Sequence, residues 1–302
     1  MQEQLNIPFV QFLDETGQIT QQLPEFAQNI DKLIETYRFM QQLRTFDKKA
    51  VSLQRTGKIG TYAGILGQEA IGTGLGQAMH LDDVLCPAYR EYGAMVQRGV
   101  KYEDILAYWG CYERGSDFNH AEDFPISVPI ASQCLHAAGV AFAFKYRKQQ
   151  RAAVAVCGDG GTSKGDFYEA MNLAGSWQLP IVFVVNNNQW AISCPRSAQT
   201  GAKTIAQKAI AVGFRGIQVD GNDVIAMRQV CSEALEQARK QSQPMLIEAL
   251  TYRLCDHTTA DDAKRYCDKT DLEQARAKEP LIRLKKYLID QNAWDEEKDV
   301  EL

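Results

Sequence analysis

Apolar residues between Ile30 and Gln54 recur at Leu33, Ile34, Tyr37, Met40, Leu43, Phe46 and Val51, a spacing that predicts one long amphipathic helix. Further along, two kinds of segment alternate. "AAVAVC", "PIVFVVN" and "PMLIEALTYR" read as buried strands, and "DDVLCPAYREYG" and "FRGIQVDGND" as short strands running into polar turns. Between and around them, "YEDILAYWGCYE", "SQCLHAAGVAFAFKYRKQ", "GDFYEAMNLAGSWQ" and "DVIAMRQVCSEALEQARKQ" have helical period. Strands that are apolar on both faces and alternate with helices predict an α/β fold, a parallel sheet covered by helices on both faces. In such a fold ligands bind beyond the carboxyl ends of the strands.

Residues 1–29 read as an N-terminal arm with little core of its own, 30–270 as the α/β domain, and 271–302 as a charged helical extension whose end carries no stop to the fold. "GTYAGILGQEAIGTGLGQAM" places glycines at 72, 74 and 76, but no β-branched strand precedes them and Met79 stands where the last glycine of a dinucleotide loop would fall. The segment predicts a helix that uses small residues for close packing. "GDGGTSKG" and "TGAKT" both fail the pattern of a nucleotide-binding P-loop.

Composition narrows the chemistry. Against 33 Lys and Arg stand 38 Asp and Glu, a formal charge of −5 that argues against a nucleic-acid partner. No apolar run approaches the length of a membrane span, and the first residues lack the basic and apolar regions of a secretory signal. The eight cysteines form no C-x-x-C pair and several lie in apolar runs, which predicts buried thiols and a cytoplasmic location. None of the four histidines has zinc-site spacing.

The chemistry concentrates at two strand ends, "GDG" and "NNNQW". Asp159 and Asn188 offer hard oxygen atoms of the kind Mg²⁺ takes, leaving the rest of its shell to phosphates and water. Gly158, Gly160 and Gly161 let the backbone approach a phosphate, and the helix that follows directs its first N–H groups at an anion. Between Gly160 and Asn187 lie 26 residues.

With that spacing, "GDGGTSKGDFYEAMNLAGSWQLPIVFVVNN" resembles the cofactor motif of the thiamine diphosphate enzymes. "YRFMQQLRTFDKKAVSLQRTGKIGTYAGILGQEA", "PAYREYG" and "YRLCDHTTADDAKRY" occur in the order seen in the α subunits of 2-oxoacid dehydrogenase E1 components of the heterotetrameric α₂β₂ type. That resemblance runs from about Ile30 to Tyr287, and family members usually continue beyond the length seen here. It implies that the fold is a thiamine diphosphate-binding, diphosphate-side domain. It also implies that Asp159, Asn188 and the Trp190 carbonyl hold Mg²⁺, and that Gly158, Gly160, Gly161, Tyr89 and Arg90 surround the diphosphate. Ile130 would support the bent cofactor, and Ser127, Ser132 and Gln133 match positions that surround a monovalent cation in some members. His257 matches the active-site histidine of a mobile loop, and His120 falls where many members carry a second one.

The resemblance further implies an absent half. The glutamate that faces the aminopyrimidine ring comes from the β subunit, so this chain is expected to work only in an α₂β₂ heterotetramer. The implied reaction is oxidative decarboxylation of a 2-oxoacid with acyl transfer to the lipoyl domain of an E2 component. Pyruvate is the expected substrate from "GDGGTSKGDFYEA" and "RLCDHTTADDAKRY". A branched-chain 2-oxoacid or acetoin enzyme is the alternative.

Overall fold

The computed structural model describes residues 6–117 and 122–301. In chain order these form β1 (Phe9–Val10), α1 (Ile30–Arg55), α2 (Glu69–Ala78), β2 (Val84–Cys86), α3 (Tyr92–Gln97), α4 (Tyr102–Trp109), α5 (Ser132–Tyr146) and β3 (Ala153–Gly158). There follow α6 (Gly165–Trp177), β4 (Ile181–Asn187), β5 (Trp190–Ala191), β6 (Cys194–Pro195), α7 (Arg196–Gln199), α8 (Lys208–Ala211) and β7 (Arg215–Asp220). The chain closes with α9 (Val224–Gln241), β8 (Met245–Leu250), α10 (Lys269–Ala277), α11 (Pro280–Asp290) and α12 (Glu296–Glu301).

Six strands make one sheet in the order β1-β7-β8-β4-β3-β2, every neighbouring pair parallel. β5 and β6 form a separate antiparallel ribbon. Alternation along the central strands sends Val154, Val156, Val182 and Val184 into one core and Ala153, Ala155, Cys157, Ile181, Phe183 and Val185 into another. The first core is closed by α1, α2, α9 and α11, the second by α5 and α6. A sheet buried on both faces explains why these strands read as continuous apolar runs.

The glycines of α2 pack as expected. A Cβ on Gly72 would stand 3.3 Å from the Gly93 Cα of α3, and one on Gly74 only 2.6 Å from the Met227 Cβ of α9. All eight cysteines are free thiols, four of them buried.

The two chain ends contribute more to the core than their sequence suggested. Phe9 and Val10 add an edge strand beside β7, and Leu13 is buried. The Phe12 and Leu13 N–H groups donate to Asp223 Oδ2 at 2.6 and 2.8 Å, so the arm is tied to the start of α9. At the other end α10 buries nothing, but α11 buries Leu281, Leu284, Tyr287 and Leu288, and the Trp294 ring meets Tyr37 edge-on at 5.0 Å.

Candidate functional site

β3 and β4 lie side by side with Gly158 opposite Asn186, so the turns that leave their carboxyl ends open onto the same rim. A cleft of about 620 Å³ occupies that rim. Tyr89, Arg90, Ile130, Gly158, Asp159, Gly160, Gly161, Asn188, Trp190 and His257 all line it. Residues from five separated stretches of chain therefore meet in one place. His120, the second histidine singled out in the sequence, lies outside the described residues.

The turn after β3 begins a short 3-10 segment, Asp159–Ser163, that leads into α6. Asp159 is 1% exposed, its Oδ2 has no hydrogen-bond partner, and burial pushes its carboxyl up to about 6. The two glycines after it meet different neighbours. A Cβ on Gly160 would come within 2.8 Å of the Ala191 Cβ, and one on Gly161 within 3.2 Å of the Cys157 Cβ and 3.6 Å of Ile130. Ile130 precedes Ala131, which takes a left-handed φ of 67° just before α5.

The turn after β4 divides its asparagines by role. Asn187 is structural: its amide donates to the buried Glu248 at 2.7 Å, and its Oδ1 accepts from the Gln189 N–H at 3.2 Å. Gln189 has a left-handed φ of 70°, which turns the chain before Trp190. Asn188 lines the cleft, its Oδ1 accepting from the Trp190 N–H at 3.2 Å and its Nδ2 donating to Gln68 at 3.0 Å.

Arg90 supplies the cationic side of the cleft and sits against His257. Arg90 donates to the Gly64 carbonyl and, through Nη2, to the His257 carbonyl at 2.5 Å, while the same nitrogen sits 3.2 Å from His257 Nδ1. Arg253 Nη1 is 3.4 Å from that Nδ1, and the His257 N–H donates to Asp261 at 2.8 Å. Burial, then the charges of Arg90 and Arg253, push the imidazole down to about 4, so it is neutral at physiological pH. With Nδ1 facing two guanidinium donors, the ring proton belongs on Nε2. Tyr89 meets the His257 ring edge-on at 6.2 Å and lies under the Arg90 guanidinium at 5.3 Å. Nearby, Ser127 Oγ and Ser132 Oγ are 2.9 Å apart, and Gln133 donates to the Val156 carbonyl at 2.6 Å while its Oε1 is unpartnered.

Several site residues carried no usable signal in the sequence. Glu91 lines the cleft, and burial pushes its carboxyl up to about 7. Gln68 reaches Asn188 from 120 positions away. Glu248 was visible as a charge inside an apolar run, and Arg253 lies within "YRLCDHTTADDAKRY", but neither has a spacing that names its partner.

Arg90, glycine-lined backbone and a buried carboxylate with one unpartnered oxygen thus meet at the carboxyl end of a parallel sheet, where ligands bind in α/β folds. The chain belongs to the dehydrogenase E1 component family, whose profile matches residues 37–302. Members of that family depend on thiamine diphosphate. The chain is 40% identical over 291 residues to the pyruvate dehydrogenase E1 component subunit alpha of Acholeplasma laidlawii, covering 96% of this chain and 84% of that one. It is 38% identical over 303 residues to the protein of the same name from Staphylococcus aureus strain Mu50, covering 99% and 81%. Against the 3-methyl-2-oxobutanoate dehydrogenase subunit alpha of Mycobacterium tuberculosis it is 43% identical over 261 residues, covering 86% and 71%. Among the described residues, no helix is long and apolar enough to cross a membrane.

Proposed function

We propose that this chain is the α subunit of a pyruvate dehydrogenase E1 component, holding Mg²⁺ and the diphosphate end of thiamine diphosphate in the cleft. The observation that carries the reading is Asp159, a buried carboxylate oxygen with no partner, in the same cleft as the Asn188 carboxamide. A lone buried carboxylate is costly unless a cation meets it. Among the described residues no trio of His, Cys, Asp or Glu is grouped for a metal. A carboxylate, an amide oxygen and the Trp190 carbonyl form a sparse, hard set that suits Mg²⁺ carrying phosphate and water.

The other residues fit the same ligand. Gly158, Gly160 and Gly161 leave room for a phosphate beside the backbone, and Arg90 supplies a planar guanidinium for its oxygens, with Tyr89 beneath it. Ile130 offers an apolar surface for the middle of the cofactor. His257, neutral with its proton on Nε2, acts as a hydrogen-bond donor; a bound diphosphate would offset the arginine charges that now oppose its protonation. When bound, the cofactor supplies the nucleophilic carbon and electron sink for 2-oxoacid decarboxylation. His120 is retained as a second candidate histidine on the resemblance alone.

The partners belong to the same proposal: a β subunit in an α₂β₂ heterotetramer, and the lipoyl domain of an E2 component as acyl acceptor. The two matches named for pyruvate, which span nearly all of this chain, support that substrate, and the Mycobacterium tuberculosis relative keeps a branched-chain 2-oxoacid as the second reading. Calorimetric titration of the assembled enzyme tests the site. Asp159→Ala should abolish Mg²⁺-dependent thiamine diphosphate binding, and unchanged affinity would remove the reading.

A further inference from the structure

We infer that Gln68 is a positioning residue that fixes the amide oxygen of Asn188 toward the cleft and so sets how tightly a divalent cation is held there. The inference rests on the reading that Asp159 and Asn188 share a metal. Gln68 stands just before α2 and is 4% exposed. Its surroundings leave it little freedom. Its own N–H donates to the Ile65 carbonyl at 2.8 Å, and the preceding Gly67 carbonyl accepts from Thr251 Oγ1 at 3.0 Å. Gly67 itself has a φ of 87°, and a Cβ there would lie 2.7 Å from Leu254 Cγ, so the approach to Gln68 requires glycine.

Two hydrogen bonds decide which way the Asn188 amide faces. The Trp190 N–H donates to Oδ1 at 3.2 Å, and Nδ2 donates to Gln68 Oε1 at 3.0 Å. Turning the amide over would set its NH₂ against the Trp190 N–H, donor against donor, and would leave Gln68 Oε1 facing an oxygen. Gln68 Nε2, by contrast, is buried with no acceptor. Only the carbonyl half of the Gln68 side chain is used. An amide that can present either an oxygen or an NH₂ is a poor ligand unless its orientation is fixed, because the NH₂ would repel a cation. Groups that orient a metal ligand commonly change affinity by about 10- to 100-fold when removed.

This predicts a split between two substitutions. With the chain assembled on its β partner, thiamine diphosphate binding can be followed by tryptophan fluorescence across a Mg²⁺ series. Gln68→Leu, which removes the acceptor, should raise the half-saturating Mg²⁺ by about 10-fold or more, while excess Mg²⁺ restores the wild-type cofactor affinity. Gln68→Glu, which keeps an acceptor, should stay at or below the wild-type Mg²⁺ requirement. A purely packing role would affect both variants alike and would leave the Mg²⁺ dependence unmoved, and either result overturns the inference. Asp159→Ala in the same titration separates the two levels. If it binds like the wild type, the metal reading itself fails. If it loses Mg²⁺ dependence while Gln68→Leu keeps the wild-type value, only the role of Gln68 is overturned.

Discussion

At the scale of single residues, Asp159 carries an electrostatic cost from its burial. Burial moves its pKa from 3.8 to about 6. A carboxyl whose folded pKa is raised holds its proton more tightly in the folded chain. The penalty is therefore absent below the unfolded value, grows between the two values, and is complete above the folded one. The shift corresponds to roughly 3 kcal/mol at neutral pH. Asp159→Asn should accordingly raise the Tm of the isolated chain at pH 7.5, and the gain should vanish as the pH approaches 4. Melting curves over that range check it, and equal Tm values at pH 7.5 would show that the carboxylate is already compensated. Asp159 and Asn188 were legible in the sequence because one strand–helix–strand unit carries both, and register does the rest. Gln68, Glu91 and Arg253 were not legible, because a side-chain hydrogen bond between distant segments leaves no spacing to read.

At the scale of elements, helical glycines have opposite consequences according to what they face. Gly74 of α2 lies against the backbone of α9, where a Cβ would sit 2.6 Å from Met227 Cβ and 2.8 Å from the Arg228 nitrogen. Alanine there gains about 1 kcal/mol of helix propensity but forces two packed helices apart, an overpacking cost of about 1–3 kcal/mol. Gly139 of α5 has nothing within 4 Å of an added Cβ, so only the propensity gain applies. Thermal unfolding of the isolated chain should show a lower Tm for Gly74→Ala and a higher one for Gly139→Ala. The same sign for both would mean that α2 relaxes without loss. The contrast also marks how far pattern reading reached. Period and composition made the sheet and its helices legible, because each long element repeats its signal several times. The two residues of β1 are too few to show a period. In α11, the apolar positions Leu281, Leu284, Tyr287 and Leu288 do keep helical spacing, but the surrounding charges made the stripe read as solvated.

At the scale of the whole molecule, the cleft has an open, apolar mouth. Ile130 and Ile192 line it yet remain 44% and 57% exposed, and Val128 beside them is 50% exposed, so its mouth is rimmed by uncovered apolar surface. Ile192 also holds a left-handed φ of 57°, unfavourable for a β-branched residue. An open mouth leaves the far half of a bound cofactor in water, where charge stabilisation by fixed dipoles is weak. The described glutamate of the cleft, Glu91, is buried in the wall, its carboxylate accepting from the Arg90 N–H at 3.2 Å, on the same chain segment as Tyr89 and Arg90. A second chain that covers the mouth and brings its own glutamate would complete the site. The isolated chain should therefore bind thiamine diphosphate weakly and decarboxylate no 2-oxoacid. Mixed with its β partner, it should elute as a heterotetramer and reduce a dye acceptor faster with pyruvate than with 3-methyl-2-oxobutanoate. Decarboxylation by the isolated chain, lost on Glu91→Gln, would overturn the need for a partner and move the glutamate's role into this chain. A reversed substrate order in the assembled enzyme would leave the half-site intact and shift the assignment to a branched-chain enzyme.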